Sequence, residues 1–351
     1  MNLIDQREVF LQFAPWCVDD IKIDSSTISI SGWAVPYMGN WESLEFFINN
    51  DRKSYFQTDR VDLIEVFPFW KEIEKTGFNI VVQRESMKSK NDEIVISRNK
   101  FYEDRIFDNY YFPLEERVYL NLPPSNLRSQ VHGSDATSAF ILEGFSSFRK
   151  LDMLLKKYLG QGIDDPLPIL DWGCGCGRVS RYRKGENEYF YGVDTNYESI
   201  YWCKENLCGN FEVSSSLPPL YFPDNYFHAI YGVSILTHLN PEDQFVWIKE
   251  LLRITRVGGV IMLSFHGIRS LLRFNLNDYD FNELNKKNFV NLGRNSTFDL
   301  IGSIGERYYD IVQTQDLLRS ILGDMRCDIF FHEGVIGNHQ DVLVLKKLGE
   351  L

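Results

Sequence analysis

ILDWGCGCGRVSR, residues 169–181, and YFYGVDTN, residues 189–196, decide how the chain is read. An apolar run from Leu167 to Leu170 ends in an acid, Asp171. Three glycines follow at alternate positions, Gly173, Gly175 and Gly177, and then a basic segment that reads as the opening of a helix. A second apolar run closes on another acid, Asp194. Strand, glycine turn, helix, strand and acid are the layout of a nucleoside-cofactor site in a doubly wound α/β sheet. Glycine has no Cβ, so the turn can take positive φ and let a ligand lie against bare main chain. A helix N-terminus leaves unpaired N–H groups facing that ligand. An acid on the next strand can accept both hydroxyls of a ribose.

The glycine spacing separates cofactors. A dinucleotide fingerprint needs G-x-G-x-x-G. Counted from Gly173 its last glycine falls on Arg178, and counted from Gly175 on Ser180, so neither register fits. The pattern D-x-G-x-G-x-G instead resembles motif I of the class I S-adenosylmethionine-dependent methyltransferases. That resemblance implies S-adenosyl-L-methionine as cofactor. It also implies a Rossmann-like sheet of seven strands with helices between the first five and an antiparallel last strand. Asp171 would hold the loop and the amino group of the methionine moiety, or cap loop N–H groups. Cys174, between the glycines, reads as a small loop residue of the cofactor site. Asp194 follows Gly177 at the distance of a ribose acid and is expected to grip the sugar, with Thr195 beside it; the plain alternative is a turn-capping aspartate. The family often contacts adenine through an acid after the third strand. Here Ser214-Ser215-Ser216 stand there, so Ser215 or a backbone N–H takes that place.

Composition bounds the rest. The 351 residues suit about two domains. A 44% hydrophobic and 25% charged composition is that of a globular protein, and the 15% aromatic content supplies large cores and stacking surfaces. A formal net charge of -12 without a basic block argues against a nucleic-acid partner. No apolar run approaches the roughly 20 residues of a membrane span, and MNLIDQREVF lacks the apolar stretch of a signal peptide. The six cysteines form no paired C-x-x-C sets, so no metal site is expected. A cytoplasmic protein fits these features.

Residues 1–120 read as a β-rich, sandwich-like accessory domain. Thr27–Val35 alternates apolar and polar residues, SLEFFIN (43–49) ends in an Asn49-Asn50 hairpin turn, and Phe78–Val82 and Glu93–Ser97 add strands. Helical periodicity is confined to Val61–Phe67 and Trp70–Lys75. Residues 121–165 form a bridge with a helix from about Ser138 to Leu159. The cofactor domain fills 166–351, with strands at 167–171, 189–193, 210–213, 227–233, 259–265, 327–331 and 341–346. Residues 268–308 interrupt it as a lid or cap.

Four histidines are candidates for the chemistry. Ser234–Leu239 ends the fourth strand at the ligand edge of the sheet, which places Ser234 and His238 there. His266, in LSFHG after the fifth strand, lies at the same edge beside the cap. A neutral imidazole can take a proton from a hydroxyl, and His266 is preferred over His238 as that base. His132 in the bridge could close over the cofactor; His339 is the weakest candidate. ISGWAVP, PPSNLRSQVHGS, LDWGCGCGRVSR and SILTHL also resemble a bacterial methyltransferase subgroup that carries an N-terminal β-rich domain and is associated with polysaccharide or secondary-metabolite pathways. The reading implied is O-methylation of a sugar or glycan hydroxyl or a related small metabolite. Its alternatives are N-methylation of an amino sugar or secondary metabolite, and a non-catalytic cofactor-binding subunit. A nucleotide-dependent oxidoreductase is disfavoured by the missing dinucleotide fingerprint. A homo-oligomer is left open.

Overall fold

The computed structural model describes residues 13–350 apart from 38–39, 42–43, 69, 71, 88–91, 99–107, 134, 185–186, 275 and 295–308. The alternation in TISISGWA becomes a strand with two unlike faces: Ile28, Ile30 and Ala34 are buried, and Thr27, Ser29 and Ser31 only partly so. It is one of eight strands, β1 (Trp16–Ile23), β2 (Thr27–Ala34), β3 (Phe46–Ile48), β4 (Asp51–Lys53), β5 (Phe56–Thr58), β6 (Gly77–Gln83), β7 (Glu93–Arg98) and β8 (Tyr110–Pro113). These make two four-stranded antiparallel sheets, β1-β2-β6-β5 and β4-β3-β7-β8. Trp16, Phe46, Phe78, Ile80, Ile96 and Phe112 pack in the core they share. Asn49 and Asn50 turn the β3–β4 hairpin with φ of 51° and 71°, the left-handed pair of a type I′ two-residue loop. The register of β1 slips between Val18 and Asp20, which breaks its period-two pattern and hides it from a sequence reading. The helical reading of 61–67 shrinks to one turn, α1 (Leu63–Val66), and that of 70–75 to a 3-10 turn at Ile73–Thr76.

Two helices follow, α2 (Ser125–His132) and α3 (Thr137–Leu159). The long α3 serves both cores. Its Ile141 and Leu142 enter the sandwich, while Phe148, Leu151, Leu154 and Leu155 pack under the second sheet. Ser146 Oγ accepts from Tyr111 N at 2.8 Å and donates to Tyr111 O at 2.9 Å, which pairs the outer edge of β8 with the helix.

The second sheet has β9 (Ile169–Trp172), β10 (Phe190–Asp194), β11 (Asn210–Val213), β12 (Phe227–Gly232) and β13 (Thr255–Phe265), then β14 (Phe289–Arg294) and β15 (Tyr309–Gln313) outside it, and β16 (Cys327–Ile336) and β17 (Gln340–Lys347) within it. The order is β11-β10-β9-β12-β13-β17-β16, with the first five parallel and β17 antiparallel to both neighbours. All seven strands expected from the sequence are present. The chain runs from β9 to β10 on one side and returns to β12 on the other, so the carboxyl end of β9 is a topological switch point, where open α/β sheets bind ligands.

The helices between the strands correct the sequence reading. α4 (Tyr197–Asn206) joins β10 to β11 and α5 (Pro241–Ile254) joins β12 to β13. Among the described residues no α-helix joins β9 to β10 or β11 to β12. The expected helix after the glycine loop is a turn followed by one 3-10 turn, Ser180–Tyr182. Tertiary packing accounts for this. α3 lies so close that a Cβ on Gly144 would sit 2.4 Å from Arg178 O. Val179 and Tyr182 plug into the core with Phe148, and Tyr182 OH donates to Ile141 O at 3.0 Å. Segment 178–183 therefore packs flat against α3.

The insertion after β13 has its own small core of Leu271, Leu276, Leu284, Val290 and Val312, built from α6 (Asp278–Lys287) and the β14–β15 hairpin. Positions 295–308 of the expected cap lie outside the described residues. α7 (Gln315–Leu322) leads on to β16. No helix among the described residues is long and apolar enough to cross a membrane.

Candidate cofactor and acceptor site

The loop after β9 has φ of +74°, +52° and +74° at Gly173, Gly175 and Gly177, a region that side-chain-bearing residues seldom enter. Close approach adds a second requirement. A Cβ on Gly173 would stand 2.1 Å from Ile235 Cδ1, and one on Gly175 2.5 Å from Val131 Cγ1. Main-chain bonds hold the loop: Gly173 N and Cys174 N donate to Val193 O at 2.8 and 3.0 Å. Asp194 continues the seam. Its Oδ2 accepts from Gly175 N and its Oδ1 from Asn196 N, both at 2.8 Å. The turn-capping role is thus real; the Thr195 backbone also bonds this carboxylate, which still has lone-pair capacity for a ribose hydroxyl.

These elements line a cleft whose void, open mouth included, is about 1030 Å³. Asp171, Gly173, Cys174, Gly175, Asp194, Thr195, Ser215, Ser234 and His238 all border it. Gly177 does not; it packs behind the loop toward Leu207 and Cys203. His132 does not either, and Gln130 and Val131 cover the cleft from α2 in its place. Asn196 Nδ2 donates to Gln130 Oε1 at 2.9 Å and fixes that cover.

A second hollow of similar volume adjoins the first and shares Gln130, Val131, Arg178, Ser234 and His238 with it. His132, Glu143, His266, Arg273, Asp310 and His339 add polar walls. His132 Nδ1 lies 3.1 Å from Glu143 Oε2, an ion-pair contact that is not aligned as a hydrogen bond, and Arg178 Nη1 lies 3.6 Å from the same oxygen. Burial pushes the Glu143 carboxyl up, but His132, Arg178 and Arg273 outweigh it and hold it well below the carboxylate range.

The histidines differ in their bonding. His238 Nδ1 stands 2.9 Å from Tyr309 O and 3.7 Å from Asp310 Oδ1. A carbonyl oxygen only accepts, so Nδ1 carries the hydrogen and Nε2 the lone pair. Burial lowers the pKa of His238, opposed by the Tyr309 backbone and Asp310. His266 is 7% exposed, and its Nδ1 makes no hydrogen bond among the described residues. Burial, then His339, His238 and Arg273, drive its pKa well below the usual value, with the Ile311 backbone opposing. His339 Nδ1 faces Gly337 O at 2.9 Å and its Nε2 faces Arg273 Nη1 at 3.0 Å; burial, then Arg273, lower its pKa to about 3. Both lie in the second hollow, whereas His238 stands between the two.

A family model described as "Methyltransferase domain" matches residues 170–263, the stretch from β9 to β13 that builds the cleft. Residues 170–263 are thus a methyltransferase domain. A sterol 24-C-methyltransferase of Gibberella zeae is 32% identical over 106 residues, 28% of this chain and 27% of that protein, so the chain spans about a quarter of the curated relative it matches. Among solved structures, a SAM-dependent methyltransferase of Methanosarcina mazei is 24% identical, with 56% of this chain and 98% of that chain covered and a TM-score of 0.42. An S-adenosylmethionine-dependent methyltransferase of Clostridium acetobutylicum is 13% identical, with 59% and 92% covered and a TM-score of 0.42.

The residues of the methyltransferase domain fit S-adenosyl-L-methionine on one observation in particular. Asp171 is 3% exposed at the cleft, and burial raises its carboxyl to about 7, with Tyr231 OH donating at 3.1 Å and Asp194 adding repulsion. A cationic ligand at that place draws the pKa back down. Binding then releases a proton. Affinity is lost as the pH falls below 7, by roughly tenfold per unit at the limit, and is level above it. Titrating the protein with S-adenosylmethionine by calorimetry between pH 5.5 and 8 is expected to show this slope, and Asp171→Asn to flatten it. An unchanged slope in the variant removes Asp171 from cation contact.

Arg178, Glu143, Arg273 and Asp310 were not singled out in the sequence. Arg178 directly follows the last glycine; the other three come from distant segments and carry no local signal.

Proposed function

We propose that the protein methylates a hydroxyl of a polar small molecule, first of all a sugar or glycan. The carrying observation is the second hollow. The cofactor cleft opens past Ser234 and His238 into walls that are charged or polar except at Val131, Phe274 and Ile336, with Gly133 bare. A hydroxyl-rich acceptor finds partners there, whereas an apolar acceptor would leave buried polar groups unpaired. S-Adenosyl-L-methionine, when bound, supplies an already activated methyl group. The protein then has to position and to remove a proton. Asp194 and the glycine loop orient the sugar of the cofactor, Asp171 faces its cationic end, and Gln130 and Val131 cover it. His238 takes the acceptor proton on Nε2, with Tyr309 O and Asp310 behind Nδ1, and His266 serves as an acceptor contact. In the same proposal, residues 1–120 are an accessory unit, 121–165 a bridge and 166–351 the methyltransferase unit.

The test uses S-adenosylmethionine labelled in its methyl group with panels of free sugars, nucleotide-linked sugars and sterols. Label recovered on a sugar hydroxyl supports the proposal. Label found only on sterol, or cofactor binding without transfer to any acceptor, defeats it, and the latter favours the non-catalytic subunit.

A further inference from the structure

The insertion contributes an exposed cation, Arg273, to the wall of the second hollow, and among the described residues no carboxylate lies within ion-pair distance of it. Arg273 Nη1 lies 3.0 Å from His339 Nε2. His339 Nδ1 faces Gly337 O at 2.9 Å and therefore holds the ring hydrogen, which leaves Nε2 as acceptor. Arg273 thus donates to a neutral ring, which orients the guanidinium without an ion pair; Glu143, already shared by His132 and Arg178, feels it only at longer range. The chamber's other charges are spoken for. Glu143 takes both His132 and Arg178, and Asp310 sits beside His238.

A second observation points the same way. His266, 7% exposed, stands in the wall that also holds Arg273; its buried Nδ1 makes no well-aligned hydrogen bond among the described residues, with the Ile311 backbone beside the ring. Its ring is edge-on to Phe274 at 5.0 Å and lies 6.1 Å from the His339 ring. A buried polar atom with no well-aligned partner at a cavity wall can take one from a ligand.

We infer that the acceptor carries an oxyanion, a carboxylate or phosphate group, held by the guanidinium fork of Arg273 while another oxygen of the same molecule meets His266. This deepens the methyl-transfer reading and rests on it. A planar fork matches either anion with two parallel hydrogen bonds. Arg273 then selects acidic over neutral sugars and sets which hydroxyl faces His238.

The experiment is calorimetric titration of the protein saturated with S-adenosylhomocysteine, using methyl β-D-glucuronide, glucose 6-phosphate and neutral methyl β-D-glucoside. One of the two anions is expected to bind at least about tenfold tighter than the glucoside, and which one tells carboxylate from phosphate. Arg273→Gln is expected to erase that gap with S-adenosylhomocysteine affinity unchanged. Arg273→Lys keeps the charge and recovers only part of it. Equal binding of all three sugars, no binding of any, or a gap that survives in Arg273→Gln overturns the inference. Failure of S-adenosylhomocysteine itself to bind is a separate result and strikes the underlying reading instead.

Discussion

Replacing His238 by alanine is expected to slow methyl transfer to a hydroxyl by roughly 10²–10⁴-fold, the usual worth of a positioned general base. Affinity for S-adenosylmethionine should stay within about twofold, because the lost interaction acts only in the transition state. The expectation rests on two features of this residue. It borders both hollows, so its ring stands where cofactor and acceptor meet. Its tautomer is set by Tyr309 O, which leaves the lone pair on Nε2. His266 is the comparison. It is buried away from the cofactor cleft, and its pKa is driven well below the histidine range, which makes it a weak base. His266→Ala is therefore expected to raise the acceptor KM more than it lowers kcat.

The pH profile supplies an independent readout. The neutral imidazole is the active form, and burial lowers the pKa of His238. The wild-type rate should then be level at neutral pH and fall only below the ordinary histidine value of about 6.5. His238→Ala should lose that acid limb along with the rate. If His238→Ala keeps wild-type kcat, either His266 is the base or the acceptor is an amine, which needs none. Repeating the measurement with His266→Ala separates these two cases.

Much of the methyltransferase domain was legible because its signals are local. The runs of β9, β10 and β12 are apolar and close on Asp171, Asp194 and Gly232, and the bare turn at 173–177 follows from the glycines themselves. Asn49-Asn50 was readable for the same reason, since asparagine tolerates the left-handed φ that a type I′ hairpin turn needs at both positions. What failed was set by distant contacts. RVSRYR has the composition of a helix opening, yet α3 presses Gly144 against Arg178 O and the segment becomes a turn. A slipped register concealed β1. The acceptor chamber was the least legible part. Glu143 reads as one polar residue on a largely apolar helix, and Arg273 as one basic residue among many. Only folding brings them to His132 and His339. The bonding that distinguishes His238 from His266 is likewise a tertiary fact, invisible in two short motifs at the same sheet edge.

Gly173→Val is expected to weaken S-adenosylmethionine binding by roughly a hundredfold or more, about 2.7 kcal/mol. Two costs combine. A β-branched residue at φ of +74° is strained. In addition, the new Cβ meets Ile235 Cδ1 at 2.1 Å, and Ile235 itself lines the cleft, so relief of the clash comes at the ligand's expense. Gly258→Val separates the two. Gly258 has φ of +79°, no atom within 4 Å of its Cβ position, and a place near the start of β13, at the opposite end of the sheet from the cleft. It carries the backbone strain without the collision. Both variants are expected to melt lower, since strain of this kind costs on the order of 1–3 kcal/mol, and Gly173→Val by more because of its collision. Only Gly173→Val should lose cofactor affinity in calorimetry. Equal losses in the two variants would mean that global destabilisation, not the shape of the loop, governs binding. Intact binding by Gly173→Val would move the cofactor away from the carboxyl end of β9.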